Sequence, residues 1–475
     1  MEREDILIYV DNIRGNDVHD GIHQPVKTAD RAFSLLPPYW HGRAEIIFAV
    51  TDIEYPVTAS AVYLGTPIGP AASPLVIRGG YRDGFTVEAT VESTGDRIVT
   101  TTDTSGADDL VGRVLMRDPR LGGGETEEAT SIRGNGNSTI FPQRTIASPA
   151  RQFFTVQWPA VTLEPRETLN LVSHDGRSLN LTLIGISIAP AVGKGLNLLN
   201  LRAQCDTCEF FFRRDPASDT DPATFFVHTN SRIQGGIGDV NLSPGLDGRR
   251  MQAGVFIHSD NVANAVWAAR GGVLGGHLTF RRIAVRASQG GWLIPKSLEA
   301  NESPIQIMAG GAALAEPQKE GRVVVGGWGT ASNKARIRNV EGDGLRVLNG
   351  GSMNSPGAPV HLDVNGCSRD GIVLDSGATA SFGPTGGNAG LVTTDRKNVR
   401  FGMNVRNGSF ALVGRDAASA SVSPTTLAMP LTGNGGDVAL DDQVAVSSDG
   451  RRGWAAVDAD NPPPSGRLSL LRRNT

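Results

Sequence analysis

The chain has 475 residues and a formal net charge of −4, which leaves no electrostatic case for nucleic acid or an anionic membrane surface. Its three cysteines (Cys205, Cys208, Cys367) cannot make a disulfide framework, and no run of ~18 apolar residues is present to insert in a membrane. Glycine, at 59 residues, is well above the usual ~7%, as expected of a chain that turns many corners.

Met1-Glu2-Arg3-Glu4-Asp5 opens on charge with no apolar run behind it. We therefore expect a protein made in the cytosol without a signal peptide, and working on a virion or other extracellular particle. Ile6–Val10 reads as a strand by alternation and β-branching, and residues 11–21 as a long Asn/Asp/Gly turn. Thr28 is placed to N-cap a short helix whose apolar side is Ala29, Ala32, Phe33, Leu35 and Leu36, stopped by Pro37-Pro38. A strand over residues 44–50 and Tyr55-Pro56-Val57 follow. Residues 75–80 look like an early coil of a repeat. From about 86 to 187 the character changes, with polar Gly/Thr/Ser-rich stretches between strands such as 153–158. Irregular coils and a β-rich insertion both fit that block. Within it, residues 169–188 suggest a hairpin around Asp175-Gly176.

Strand-like segments resume at 195–199, 208–212, 254–257, 276–283 and 322–325. Two stretches rich in Pro, Gly and charge, 213–250 and 288–321, read as loops standing off the repeat. The clearest repeat comes last. Leu345, Ile372, Met403 and Val438 each lead a short apolar–x–apolar strand behind a Gly, Asp or Asn turn. They lie 27, 31 and 35 residues apart, and Asn349-Gly350, Ser376-Gly377 and Asn407-Gly408 follow three of them. Periods of this size mark one supersecondary unit per repeat, each burying its neighbour's apolar face. Short strands, Gly/Asn corners and no helical pattern between them predict an all-β solenoid, a parallel β-helix. The predicted divisions are an N-terminal cap (1–60), early coils or an insertion (61–187), the regular helix (188–446) and a C-terminal cover (447–475).

The opening strand, the Gly-Asn-Asp-x-x-Asp-Gly loop from Gly15, Pro25-x-Lys27-Thr28, the short helix and the next strand together resemble the start of pectin-lyase-like right-handed β-helix proteins. The resemblance covers about 50 residues and implies that the helix plugs the N-terminal end of the coils, covering edges that would otherwise template aggregation. It also implies a polysaccharide partner. Enzymes of that superfamily set acidic and basic residues on outward strand positions, and hydrolases need two carboxylates. The candidates on this pattern are Asp247, His258, Asp260 and His277, with Asp239 beside them. They resemble the NxD and GHG signatures of polygalacturonase-like enzymes, but lack the paired Asp-Asp those enzymes carry. The plainer reading is that they are solvated turn residues.

Cys205-x-x-Cys208 has metal-like or redox-like spacing without a second pair, so core packing is favoured and no metal site is assigned. Asp17, His19, Asp20 and His23 crowd the cap loop. They are expected as turn formers, with calcium as the rival, and no cofactor is implied. Trp267, Trp292 and Trp328 are the carbohydrate-binding candidates. Gly-Gly-Trp recurs at 290–292 and 326–328, near one coil period, and outward indoles on one face would offer sugar rings a platform. The favoured functional reading is a non-enzymatic spike, fibre or baseplate-type component of a phage or phage-like particle, contacting cell-surface polysaccharide or other particle proteins, and homotrimeric. The alternative is a polysaccharide lyase or glycoside hydrolase.

Overall fold

The structure is a computed structural model. It describes residues 5–69, 74–91, 97–101, 110, 113–117, 129–136, 138–142, 152–215, 223–235, 254–308, 312–314, 335–354, 362–381, 392–394, 401–405, 409–412, 436–440, 445–447 and 453–455. Two compact units divide it, the first holding residues 1–266 and 272–279, the second 267–271 and 280–475.

In the first unit three stacks of parallel strands alternate along the chain. The first stack runs Ile6–Val10, Ala44–Phe48, Leu75–Arg78, Leu179–Ile184, Leu201–Asp206, Arg232–Gly235 and the start of Val273–Arg281. The second runs Tyr55–Val57, Val161–Pro165, Ile186–Ile188, Cys208–Phe212 and Val255–Ser259. The third holds Ala61–Leu64, Leu169–Ser173, Leu196–Leu199 and Thr224–His228. Each circuit thus lays one strand on each of three walls, and alternate side chains turn inward. In Cys208–Phe212 the thiol, Phe210 and Phe212 are buried while Glu209 and Phe211 face out. This is a right-handed parallel β-helix; the sequence pattern predicts the parallel coils, and the resemblance implies their hand.

Its opening is covered by the helix Ala29–Leu35, which buries Ala29, Ala32 and Phe33 and packs on Ile6–Val10, Tyr55–Val57 and Ala61–Leu64. The Thr28 hydroxyl caps it by accepting from the Arg31 N–H at 3.1 Å. The loop ahead of it is tied by its own carboxylates. Asp17 accepts from the Lys27 and Thr28 N–H groups and the Thr28 hydroxyl at 2.8–2.9 Å, and Asp20 from the Ile22 and His23 N–H groups at 2.9 Å.

Between the first and second walls of the second circuit the chain leaves the helix to build a closed barrel. Its six strands are Tyr81–Val91, Ile98–Thr100, Val114–Arg117, Ala129–Gly136, Thr139–Pro142 and Gln152–Pro159, and every neighbour is antiparallel. Val91, Ile98, Leu110, Leu115, Ile132, Ile140, Phe154 and Val156 fill it. Where the chain departs and returns, the Ala160 N–H donates to the Gly80 carbonyl at 2.8 Å.

Two expectations are corrected. Residues 169–188 are not a hairpin: Leu169–Ser173 and Leu179–Ile184 pair with different parallel partners on different walls. The Asp175-Gly176 turn, with Gly176 at φ 71°, is a coil corner, and a left-handed residue serves either purpose. Nor are 213–250 and 288–321 loops throughout, although residues 216–222, 236–250, 309–311 and 315–321 lie outside the described residues. Thr224–His228, Arg232–Gly235, Trp292–Asn301, Ile305–Ile307 and Ala312–Leu314 are wall strands within them.

The second unit repeats the plan. The start of Trp292–Asn301 leads a first wall through Ala312–Leu314, Ser352–Asn354, Thr379–Ser381, Phe410–Leu412 and Ala445–Ser447. The end of that strand leads a second wall, through Ala335–Arg338, Leu362–Asn365 and Val392–Thr394. The third wall holds Ala284–Ser288, Ile305–Ile307, Leu345–Leu348, Ile372–Asp375, Phe401–Val405 and Gly436–Leu440. The four residues that lead the sequence repeat are register partners here: Leu345 meets Ile372, Ile372 meets Met403 and Met403 meets Val438. Asn349 and Ser376 take the left-handed corners, at φ 51° and 57°. Gly453–Ala455 folds back antiparallel on Ala445–Ser447.

Candidate functional site

Two outward rows carry chemistry, one in each unit. The first lies on the second wall of the first unit, where register sets Glu209 beside Ser187 and Phe256, and Phe211 beside His258. His258 Nε2 donates to Glu209 Oε1 at 2.7 Å, and its ring stacks on Phe211 (4.5 Å between centroids) and Phe256 (4.2 Å). An ionised carboxylate only accepts, so the proton sits on Nε2. From the barrel, Arg113 reaches the same oxygen at 3.3 Å while lying 5.7 Å from the centre of the Trp158 ring. Burial pushes the Glu209 carboxyl up. The hydrogen bond from His258 and the charges of Arg113 and His258 outweigh it, with help from Ser187, and hold the group at about 2. Glu209 is therefore an anchor: it fixes the imidazole and ties the barrel to the coil, as Tyr81 does through its hydroxyl to Asp206 at 3.2 Å.

Further along this wall Arg213 lies over Phe211 at 5.3 Å. Glu164 is bound by Arg166 at 2.9 Å. Burial first, and then the neighbouring Glu54 carboxylate, still raise its carboxyl above the usual range.

The second row lies on the third wall of the second unit. Register places Arg286, Gln306, Arg346 and Val373 side by side, one per rung at ~4.8 Å. Trp267 stands at its head. The indole N–H donates to the Ser288 hydroxyl at 2.6 Å, and the Arg286 guanidinium lies 5.5 Å from the ring centre. Both side chains are half-buried, and burial lowers the Arg286 pKa.

The residues singled out from sequence are thus scattered. His258 meets Glu209, whereas Asp260 stitches a loop, accepting from the Arg214 N–H at 2.9 Å. His277 is buried beside Gly235 and Gly254. Trp267 stands with the third wall of the second unit and Trp292 on its first wall, exposed at 36%. Asp247, Asp239 and Trp328 lie outside the described residues. Cys205 and Cys208 are buried free thiols, and the hydrogen bond between them, then burial, push Cys205 well above its usual value. Among the described residues no group of three or more His, Cys, Asp or Glu is placed to hold a metal.

Glu209, Arg113 and Arg286 were missed from sequence. Glu209 and His258 are 49 residues apart, and only wall register joins them. Arg286 had a local signal: Ala265-Val266-Trp267-Ala268-Ala269 and Ala284-Val285-Arg286-Ala287-Ser288 share one pattern, with the large residue at the same outward place.

No protein-family description matches the chain, and no curated protein does. Solved structures similar to it include the tailspike of Acinetobacter baumannii bacteriophage AP22, in complex with A. baumannii capsular saccharide. That match is 10% identical, covers 85% of this chain and 71% of the other, and has a TM-score of 0.22. A lacto-N-biosidase from Eubacterium ramulus is 13% identical over 93% and 68%, with TM-score 0.26, and the Pseudomonas phage phi297 tailspike 11% over 80% and 71%, with TM-score 0.22. None of these figures bears on which residues of this chain do what.

Proposed function

We propose that the chain is a non-enzymatic β-helix protein of the spike, fibre or baseplate kind, carried on a phage or phage-like particle and contacting cell-surface polysaccharide. The observation that carries the saccharide contact is the row headed by Trp267. It sets a fixed indole beside polar heads on consecutive rungs, and so matches apolar ring faces and hydroxyls together. The non-enzymatic part is supported by how the candidate groups are used: Glu209 is tied to Arg113 and His258, and Asp260 to the Arg214 N–H. Particle attachment and a homotrimer complete the proposal. Both are tested by cross-linking and light scattering of the isolated chain, where a strict monomer counts against the spike. On a glycan array Trp267→Ala should lose most of the signal, and full retention removes the platform.

One observation favours the alternative of a polysaccharide lyase or glycoside hydrolase. A carboxyl that keeps its proton near neutral pH is what a glycosidic acid needs, and Glu164 is shifted that way beside Glu54. New reducing ends or unsaturated products from any polysaccharide, abolished in Glu164→Gln, would establish it.

A further inference from the structure

We propose that the row of Trp267, Arg286, Gln306 and Arg346 binds a carboxylate-bearing residue of an acidic saccharide. The proposal deepens the saccharide-contact reading and rests on it. Its starting point is a contrast among the arginines of the second unit. Arg282 pairs with Glu302 at 2.6 Å, Arg338 with Glu299 at 3.7 Å, and Arg346 and Arg369 with Asp343 at 3.4 and 3.7 Å. Among the described residues the Arg286 guanidinium meets no carboxylate; its buried Nε lacks a hydrogen-bond acceptor, as do those of Arg338 and Arg346, but those two have a carboxylate beside them. What Arg286 has is the Trp267 face, 5.5 Å away, and a ring whose own N–H is fixed on Ser288.

A half-buried cation without a counter-charge is an expensive thing to fold around. A guanidinium fork held by a ring is also oriented in advance for a planar carboxylate. The next rung supplies Gln306, whose amide makes no hydrogen bond among the described residues and can both donate to and accept from sugar hydroxyls. Arg346 follows one rung on, its charge partly met by Asp343. A polysaccharide lying along the stacking direction meets one head every ~4.8 Å. The anion it must bring is the one Arg286 lacks.

The test is calorimetric titration of the full chain with a panel of oligosaccharides of hexuronic acids, each paired with its carboxyl-reduced counterpart, and with sulfated neutral oligosaccharides. At least one acid member should bind about tenfold or more tighter than its reduced partner. Arg286→Gln should erase that preference, bringing the ratio of the two affinities to about one, and Arg286→Lys should restore part of it. Trp267→Ala should weaken both members of the pair. Matching circular dichroism spectra establish that the variants fold. A preference that survives Arg286→Gln, the lack of any preference, or equal binding of the sulfated probes overturns the carboxylate assignment. Neutral saccharides bound through Trp267 without acid preference would sink this inference and leave the saccharide reading standing. No binding by any member would sink both.

Discussion

Replacing Glu209 by Gln should convert a pH-dependent tie into a pH-independent one. In the folded chain the carboxyl is held at about 2, against an ordinary value of 4.5. Its side chain is 14% exposed, so the difference is little screened. Each unit is worth ~1.4 kcal/mol, and the ionised anchor contributes about 3 kcal/mol. The sign follows from the depressed carboxyl. The contribution is complete above pH ~4.5, falls as the unfolded chain takes up its proton below that, and is gone once the folded group is protonated near pH 2. By linkage about 2 kcal/mol of it is lost by pH 3. Urea unfolding read on tryptophan fluorescence reports it, since Trp158 lies under Arg113. The gap between parent and Glu209→Gln should be about 3 kcal/mol at pH 7 and about 1 kcal/mol at pH 3. A gap that does not change with pH, or a variant as stable as its parent at neutrality, would refute the assignment of Glu209 as an ionised anchor.

Three other outcomes are expected. Arg286→Met should raise stability by about 1 kcal/mol, because relief of an unsatisfied buried donor (~1–3 kcal/mol) exceeds the lost cation–π contact (~0.5–1 kcal/mol); a lowered melting temperature would contradict it. Asn264→Ala should cost ~1–3 kcal/mol in urea midpoint, since the buried amide accepts from Ala223 at 2.9 Å and donates to Ser259 at 2.7 Å. Gly195→Ala and Gly350→Ala should differ in kind. A Cβ at 195 would sit 2.5 Å from the Thr224 carbonyl, while one at 350 meets nothing and strains only a φ of 72°. Overpacking of ~1–3 kcal/mol or more is expected at the first and about 1 kcal/mol at the second, and equal melting temperatures would count against the close packing of walls.

What could be seen in the sequence was local and repeated. The lead residues Leu345, Ile372, Met403 and Val438 stand in register because a strand of alternating burial can stack only with its apolar side inward. The Thr28 cap was visible for a similar reason, as side chain and N–H lie three residues apart. What escaped depended on pairing direction. Residues 86–159 alternate like any strands, and nothing local says that they close antiparallel on themselves; Gly176 turns a corner as it would turn a hairpin. The first row was hidden because the strand that carries His258 finds Glu209 only through the register of Cys208–Phe212 with Val255–Ser259. The second was legible in part, since Trp267 was singled out but the arginine above it was not.

The hydrogen bond from Ala160 to Gly80 bridges the two ends of a 79-residue excursion, residues 81–159. The helix spends no register on that excursion: Leu75–Arg78 stays on the first wall and Val161–Pro165 takes its place on the second. Such a junction behaves as a socket. A different module, or a two-residue link, can take that place while the winding continues, and among the described residues the polar ties given up are those of Arg113 to Glu209, Tyr81 to Asp206 and Arg82 to Asp52. A lineage built this way can change what it displays without relearning how to fold.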